Sequence, residues 1–206
     1  VGLRSVAESP RGLPGAPELY LGRDQERKIL DDHIAELIQD QRGRLILIQG
    51  EAGMGKTRLI TECTENLKDS SLEIWRGHGL PYDTQGTGYG VFRSLFQEAS
   101  NRTGNVAILE GLAPSLKPYL NRVMGHPLDH DEDQVLSYLD PEQINQLTTV
   151  AIRETILDNA QRNPLLIILD DFHWADDLSR ELIQTLLPMV EEIPLILCVM
   201  TRPNPD

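Results

Sequence analysis

A short apolar run at residues 45–48 leads directly into the sequence GEAGMGKT at residues 50–57. This octapeptide matches the phosphate-binding pattern G-x-x-x-x-G-K-[ST] at every specified position. Its glycines permit backbone turns in which successive N–H groups point inward at phosphate oxygens. A helix that begins near Lys56 would add the positive end of its dipole at the same place. The pattern therefore predicts a loop between a strand and a helix that holds phosphate groups.

Two side chains of this loop have specific predicted roles. Lys56 supplies a full positive charge for β- and γ-phosphates, and the hydroxyl of Thr57 is placed to ligate magnesium. The alternative is a glycine-rich turn that holds no ligand, and the apolar run before the loop makes this alternative less favourable. The predicted nucleotide contacts in this region are Gly50, Glu51, Ala52, Gly53, Met54, Gly55, Lys56, Thr57 and Arg58.

A second apolar run, at residues 165–169, ends in a pair of aspartates. A carboxylate held rigidly at the end of a strand suits magnesium, so Asp170 is predicted to reach the ion directly or through water. Asp171 is the candidate to orient or deprotonate an attacking water. Strands carrying the two motifs can be neighbours in a sheet, which would place Thr57 and Asp170 on one ion. The structural alternative is a helix cap or a polar turn.

The order of apolar runs and helical patterns predicts an α/β fold. Short apolar strands alternate with amphipathic helices, which is typical of a mainly parallel central sheet in a three-layer sandwich with right-handed crossovers. Residues 1–17, rich in proline and glycine, are predicted to be a linker, and residues 18–206 to be the domain. A helix capped by Asp24, a strand at 71–76, an exposed glycine-rich loop at 77–90 and a helical and loop insertion at about 80–139 are also predicted.

The composition excludes several classes of function. A net charge of −13 argues against a face for nucleic acid or an anionic membrane. Cys63 and Cys198 lie in apolar stretches, which fits a reducing cytosol, and no apolar run approaches the length of a membrane span. His126 and His130 lie in an acidic stretch at residues 125–133, where a metal site and a solvated insertion are the alternatives. The chain runs from a valine to Asp206, so we expect an excerpt from a longer protein.

Three stretches together resemble the ATPase domain of the STAND group of signal-transduction ATPases. They are LGRDQE at residues 21–26, the loop at 50–57 and LDDFHWAD at 169–176. The last is most similar to the branch fused to bacterial nucleotide cyclases, protein kinases and large transcription regulators. The resemblance covers about residues 20–202, although the section from 80 to 139 matches only in general layout.

This resemblance implies a P-loop NTPase whose ligands are ATP or ADP with Mg²⁺. It implies contacts from Gly22 and Arg23 on the base side of the nucleotide, and it implies that Arg202, after the last strand, senses the γ-phosphate. For His173 a role at the site and simple packing are the alternatives, and Trp174 is expected to pack beneath the adjoining helix. In the family, lid and winged-helix segments follow the domain, and we expect this excerpt to lack them.

The function expected from the sequence is an ATP-binding, magnesium-dependent ATP-hydrolysing switch. Its expected partners are nucleotide, other domains of the same cytoplasmic polypeptide and a second copy of the chain, without nucleic acid or membrane. Hydrolysing relatives usually have Glu where this chain has Asp171, so a nucleotide-binding scaffold without turnover is one alternative. A small-molecule kinase is the other, although residues 77–90 show no arginine-rich lid. The absence of an Asn-Lys-x-Asp run favours ATP over GTP.

Overall fold

The computed structural model describes residues 2–4, 23–65, 67, 71–81 and 88–203. Its strands are β1 (Gly2–Arg4), β2 (Arg44–Gln49), β3 (Glu73–His78), β4 (Leu165–Asp170) and β5 (Leu195–Thr201). Its α-helices are α1 (Asp24–Asp40), α2 (Lys56–Glu65), α3 (Gly90–Thr103), α4 (Asn105–Ile108), α5 (Lys117–Met124), α6 (His130–Ser137), α7 (Pro141–Arg162) and α8 (Asp177–Val190). Short 3-10 turns span Pro114–Leu116 and Phe172–Trp174.

The described strands form one parallel sheet in the order β1-β2-β5-β4-β3. Alternate residues of β4 separate two cores. Leu166 and Ile168 pack in a smaller core with α1 and α2, whereas Ile167 and Leu169 pack in a larger one with α3, α7 and α8. Because β4 is buried on both faces, its sequence is continuously apolar. The predicted α/β fold with a mainly parallel sheet is confirmed.

β2 is not buried on both faces, although residues 45–48 are continuously apolar like the residues of β4. Ile46 and Ile48 are 5% exposed in the smaller core, but Leu45 and Leu47 on the opposite face are 39% and 40% exposed. The reason is position, since β2 lies between β5 and the three-residue β1, at the margin of the larger core. Covering of both faces is therefore complete for β4 and β5, but not for β2.

Residues Gly2–Arg4 lie within the region that the sequence predicts to be a linker. They pair in parallel with β2, with Gly2 opposite Leu47 and Arg4 opposite Gln49. No periodicity can identify a strand of three residues. Residues 5–22 are outside the described part of the chain, so the boundary at residue 18 stays a prediction.

Helices α3 to α7 connect β3 to β4 and supply much of the larger core. The predicted acidic loop at residues 125–133 is partly helical, because Asp129 caps α6. Its carboxylate accepts from the N–H of Glu132 at 2.8 Å, and the Glu132 carboxylate accepts from the N–H of Asp129 at 3.1 Å. Among the described residues, no group of three or more His, Cys, Asp and Glu is placed to hold a metal. Helix capping thus explains acidic residues for which a metal site was an alternative.

Two predicted element boundaries are wrong by a small margin. The strand predicted at residues 71–76 is β3, Glu73–His78. Asp24 is the first residue of α1 rather than its cap, which is Arg23. An acidic residue is also favourable in a first turn, because it faces the positive end of the helix dipole, so the same sequence signal fits both positions. No helix in the described ranges has both the length and the apolar character to cross a membrane.

We predict that Asp140→Ala lowers the free energy of unfolding by about 1 kcal/mol, because Asp140 caps the long helix α7. The Asp140 carboxylate accepts from the N–H of Gln143 at 2.8 Å, and the Gln143 side chain accepts from the N–H of Asp140 at 3.1 Å. Urea unfolding followed by circular dichroism measures the change. The matched control is Glu142→Ala in the same turn, whose side chain is exposed. Equal losses for both variants would contradict a capping role.

Candidate functional site

Residues 50–55 connect β2 to α2 at the carboxyl edge of the sheet. Gly53 and Gly55 have φ angles of +79° and +75°, in the left-handed region that glycine adopts without strain. The N–H of Gly50 donates to the carbonyl of Thr201 at 3.2 Å, which ties the start of the loop to the end of β5. The loop therefore leads from a strand into a helix N-terminus, as the pattern predicts.

Lys56 folds back over this loop. Its Nζ donates to the carbonyl oxygens of Gly50 at 2.8 Å and Glu51 at 3.1 Å, and the residue is 9% exposed. Burial lowers the pKa of Lys56, whereas the nearby carboxylates of Asp171 and Asp170 act in the opposite direction. The loop thus holds an ammonium group against its own carbonyls, facing two carboxylates.

Thr57 and Asp170 are hydrogen-bonded although they lie 113 positions apart in the sequence. The Thr57 hydroxyl donates to Oδ2 of Asp170 at 2.6 Å. The strands that carry the two motifs are not neighbours, because β5 lies between β2 and β4. The contact is made across β5, since both side chains project from the carboxyl edge of the sheet, where α2 begins and β4 ends.

Asp171 has a left-handed backbone conformation, with φ +48° and ψ +37°. This conformation is uncommon outside glycine, although Asp tolerates it better than most residues. The N–H of Asp171 donates to Oδ1 of Asp170 at 2.8 Å, and the Asp171 side chain is 48% exposed. Asp170 is therefore occupied on both oxygens, while the neighbouring carboxylate faces outward.

Gly79 fixes the path of this turn, a role that no sequence pattern predicted. Its N–H donates to the carbonyl of Asp170 at 2.9 Å. A Cβ at this position would lie 2.4 Å from the carbonyl oxygen of Asp171, too close for any side chain. The end of β3 thus packs directly against the aspartate pair.

Arg202 and His173 lie beside the aspartates. Burial and the positive charges of Arg202 and Lys56 lower the pKa of His173, while the Asp171 carboxylate raises it. The expectation that Trp174 packs beneath the adjoining helix is wrong, because Trp174 is 45% exposed and its ring lies against His173, with centroids 5.0 Å apart. Its position in a short 3-10 turn, ahead of α8, accounts for this exposure.

Two of the remaining predicted contacts, Arg23 and Arg58, lie close to the loop. The Arg23 guanidinium donates to the carbonyl of Met54, so Arg23 contacts the phosphate loop itself. Arg58 pairs with Glu62 one turn along α2 at 2.9 Å. The predicted contact Gly22 lies outside the described residues. Within the loop, the Met54 sulfur accepts a hydrogen bond from the N–H of Glu51 at 3.3 Å, a contact that the sequence does not predict.

Five predicted residues thus meet at the carboxyl edge of the sheet: Lys56, Thr57, Asp170, Asp171 and Arg202. Electrostatic interactions link the lysine to both aspartates and to the arginine. In a domain with a net charge of −13, this cluster combines local cationic donors with oxygen ligands. Such a set of groups can hold a polyanion together with a divalent cation.

Comparison with known proteins gives the chain its fold and family. The structure of the ORC2 protein of Aeropyrum pernix, in ADPNP–ADP complexes, aligns with a TM-score of 0.50 and 18% identity, over 90% of this chain and 42% of that one. Cdc6p of Pyrobaculum aerophilum aligns with a TM-score of 0.49 and 15% identity, over 93% of this chain and 42% of that one. At 18% identity, the likeness to the ORC2 protein shows that the two chains share a P-loop NTPase fold.

Comparison of sequences identifies the family of the chain as well as its fold. An uncharacterized protein of Rhizobium meliloti (strain 1021) is 24% identical over 170 residues, which is 79% of this chain and 16% of that protein. The chain therefore spans less than a fifth of this relative. The family model described as "AAA ATPase domain" matches residues 20–199. Since this match covers most of the sequence, the chain belongs to the AAA ATPase domain family.

Proposed function

We propose that this domain binds ATP or ADP with Mg²⁺ and hydrolyses ATP slowly, as a nucleotide-dependent switch in a larger protein. The observation that carries the proposal is the hydrogen bond between Thr57 and Asp170, next to a lysine at the N-terminus of a helix. These are the groups that a magnesium nucleotide requires, brought to one place from distant parts of the chain. Membership of the AAA ATPase domain family supports ATP as the nucleotide.

The two oxygens fit a magnesium ion. Mg²⁺ prefers hard oxygen ligands in octahedral geometry at about 2.0–2.1 Å, which places neighbouring ligands roughly 2.9 Å apart. Thr57 Oγ1 and Asp170 Oδ2 are 2.6 Å apart, so they would have to separate only slightly to become two ligands of one ion. When bound, the ion would neutralise charge on the phosphates.

The other residues act on the phosphates and on water. Lys56 would exchange its bonds to the carbonyls of Gly50 and Glu51 for bonds to phosphate oxygens, and the N–H groups of the loop would hold the β-phosphate. Arg202 would contact the γ-phosphate from the end of β5. Asp171, half-exposed beside these groups, would orient the attacking water and accept its proton.

The regulatory role rests on the context of the domain. The chain corresponds to 16% of its Rhizobium meliloti relative, which supports a module that acts on other domains of the same polypeptide. The contact of Arg23 with the Met54 carbonyl gives the region before α1 a direct connection to the phosphate loop. Two buried free thiols, Cys63 and Cys198, whose pKa values burial raises to about 12, support a cytoplasmic location.

We predict that Lys56→Ala weakens the binding of MgATP and MgADP by at least about tenfold, because it removes the ammonium that would face the phosphates. Isothermal titration calorimetry measures the affinities. The control is Lys117→Ala, which removes the same charge from α5 in the helical section. Unchanged binding by the Lys56 variant would show that Lys56 does not contact the phosphates.

We predict that Asp171→Asn keeps MgATP affinity within about threefold and lowers the rate of phosphate release at least tenfold, because an amide cannot accept the proton of water. Asn also tolerates the left-handed conformation, so the backbone is preserved. The control is Asp177→Asn, a carboxylate whose side chain is 92% exposed at the start of α8.

The same measurement separates the proposed ATPase from a scaffold that binds without turnover. A parent domain that binds MgATP and releases no phosphate supports the scaffold. A parent that hydrolyses ATP, with an equally active Asp171→Asn variant, would show that another group orients the water.

A further inference from the structure

His173 is a half-buried polar residue at the candidate site. It lies in the 3-10 turn Phe172–Trp174, and its side chain is 16% exposed. Neither ring nitrogen has a hydrogen-bond partner among the described residues, and both are buried. Polar atoms rarely stay unpaired in protein interiors, because they lose their bonds to water without replacement. A residue of this kind is expected to find its partners in another state of the same site.

Two charged groups that act on the imidazole, the Asp171 carboxylate and the Arg202 guanidinium, complement it. Nδ1 lies 3.7 Å from Oδ1 of Asp171, too far for a hydrogen bond but within reach of a small shift. Arg202 exerts the largest effect of any charged group on His173, and its Nε is also buried without a hydrogen-bond partner in the described part of the chain. The Asp171 carboxylate is thus an acceptor, and the Nε–H of Arg202 is a donor.

The protonation state of the imidazole decides whether it can form hydrogen bonds with both Asp171 and Arg202. Burial and the adjacent guanidinium lower the pKa of His173, so the imidazole is neutral near pH 7. A neutral imidazole has one N–H and one lone pair. It therefore has one donor for the Asp171 carboxylate and one acceptor for the Nε–H of Arg202.

We propose that His173 is a positioning residue that connects Arg202 to Asp171 when a γ-phosphate is bound, donating from Nδ1 to the carboxylate and accepting at Nε2 from the guanidinium. The inference rests on the proposed function, in which Arg202 contacts the γ-phosphate and Asp171 orients the water. Because both ring nitrogens are shielded, His173 acts through these two residues rather than by touching nucleotide. The bridge makes the placement of Asp171 depend on whether ATP or ADP occupies the site.

A packing role is the competing explanation, since the imidazole ring lies against Trp174 at an interplanar angle of 41°. The variant His173→Phe separates the two, because it keeps an aromatic ring and removes both nitrogens. We expect MgADP affinity within about twofold of the parent, since the loop, Lys56 and Thr57 are unchanged. We expect phosphate release to fall at least tenfold and the ratio of ADPNP to ADP affinity to fall at least fivefold.

Rescue and coupling make the test specific. His173→Asn offers an amide that both donates and accepts in a smaller side chain and should recover part of both losses. Trp174→Phe should leave both readouts unchanged. Arg202→Gln combined with His173→Phe should lower the ADPNP to ADP affinity ratio no further than Arg202→Gln alone, because the two residues act as one unit. Thermal unfolding of each variant identifies any loss of fold, and the Asn variant decides the matter if the Phe variant does not fold.

The outcomes distinguish the inference from the proposed function. A parent that binds neither MgADP nor MgADPNP overturns both. A parent that binds both nucleotides, with a His173→Phe variant of equal affinity ratio and equal phosphate release, overturns the bridge alone and leaves the packing role. If the parent binds both nucleotides but releases no phosphate, the bridge is tested by the ADPNP to ADP affinity ratios of His173→Phe and of the double variant.

Discussion

The site depends on the hydrogen bond between Thr57 and Asp170. It joins the first turn of α2 to the end of β4 across the intervening strand β5, at 2.6 Å. It is possible because the strands are parallel, so that their carboxyl ends share one edge of the sheet. The apolar residues of β4 and β5 are buried on both faces, which fixes the position of that edge. A side-chain contact across 113 positions of sequence is thus a consequence of the packing of the sheet.

Around this contact, polar groups are held where a bound ligand could complete or replace their contacts. Asp171 is in the left-handed region, Lys56 donates to carbonyls of its own loop, and neither ring nitrogen of His173 has a partner among the residues that the structure describes. Strained or incompletely bonded residues concentrate where binding completes their contacts. The cluster combines cationic and anionic groups within a strongly acidic domain, which favours a ligand that carries its own cation.

The sequence predicted the class of fold and the position of the loop because both depend on local patterns. Continuous apolar runs identify strands buried on both faces, and the spacing of glycine, lysine and threonine identifies the loop. What depends on tertiary contacts was not predictable: the exposed face of β2, the insertion of β5 between the two motif strands, and the approach of Gly79 to Asp171. The acidic residues at the cap and in the first turn of α6 illustrate the limit, since the same composition suits a loop, a metal site or the capped helix that is found.

The central claim is that Thr57 and Asp170 serve one magnesium ion beside the phosphates. A crystal structure of this chain with MgADPNP tests it most directly. We expect the ion at about 2.1 Å from Oγ1 of Thr57, with Asp170 as a ligand or one water away, and the terminal phosphate facing Lys56. An ion bound away from both residues, or phosphates placed outside the loop, would contradict the account.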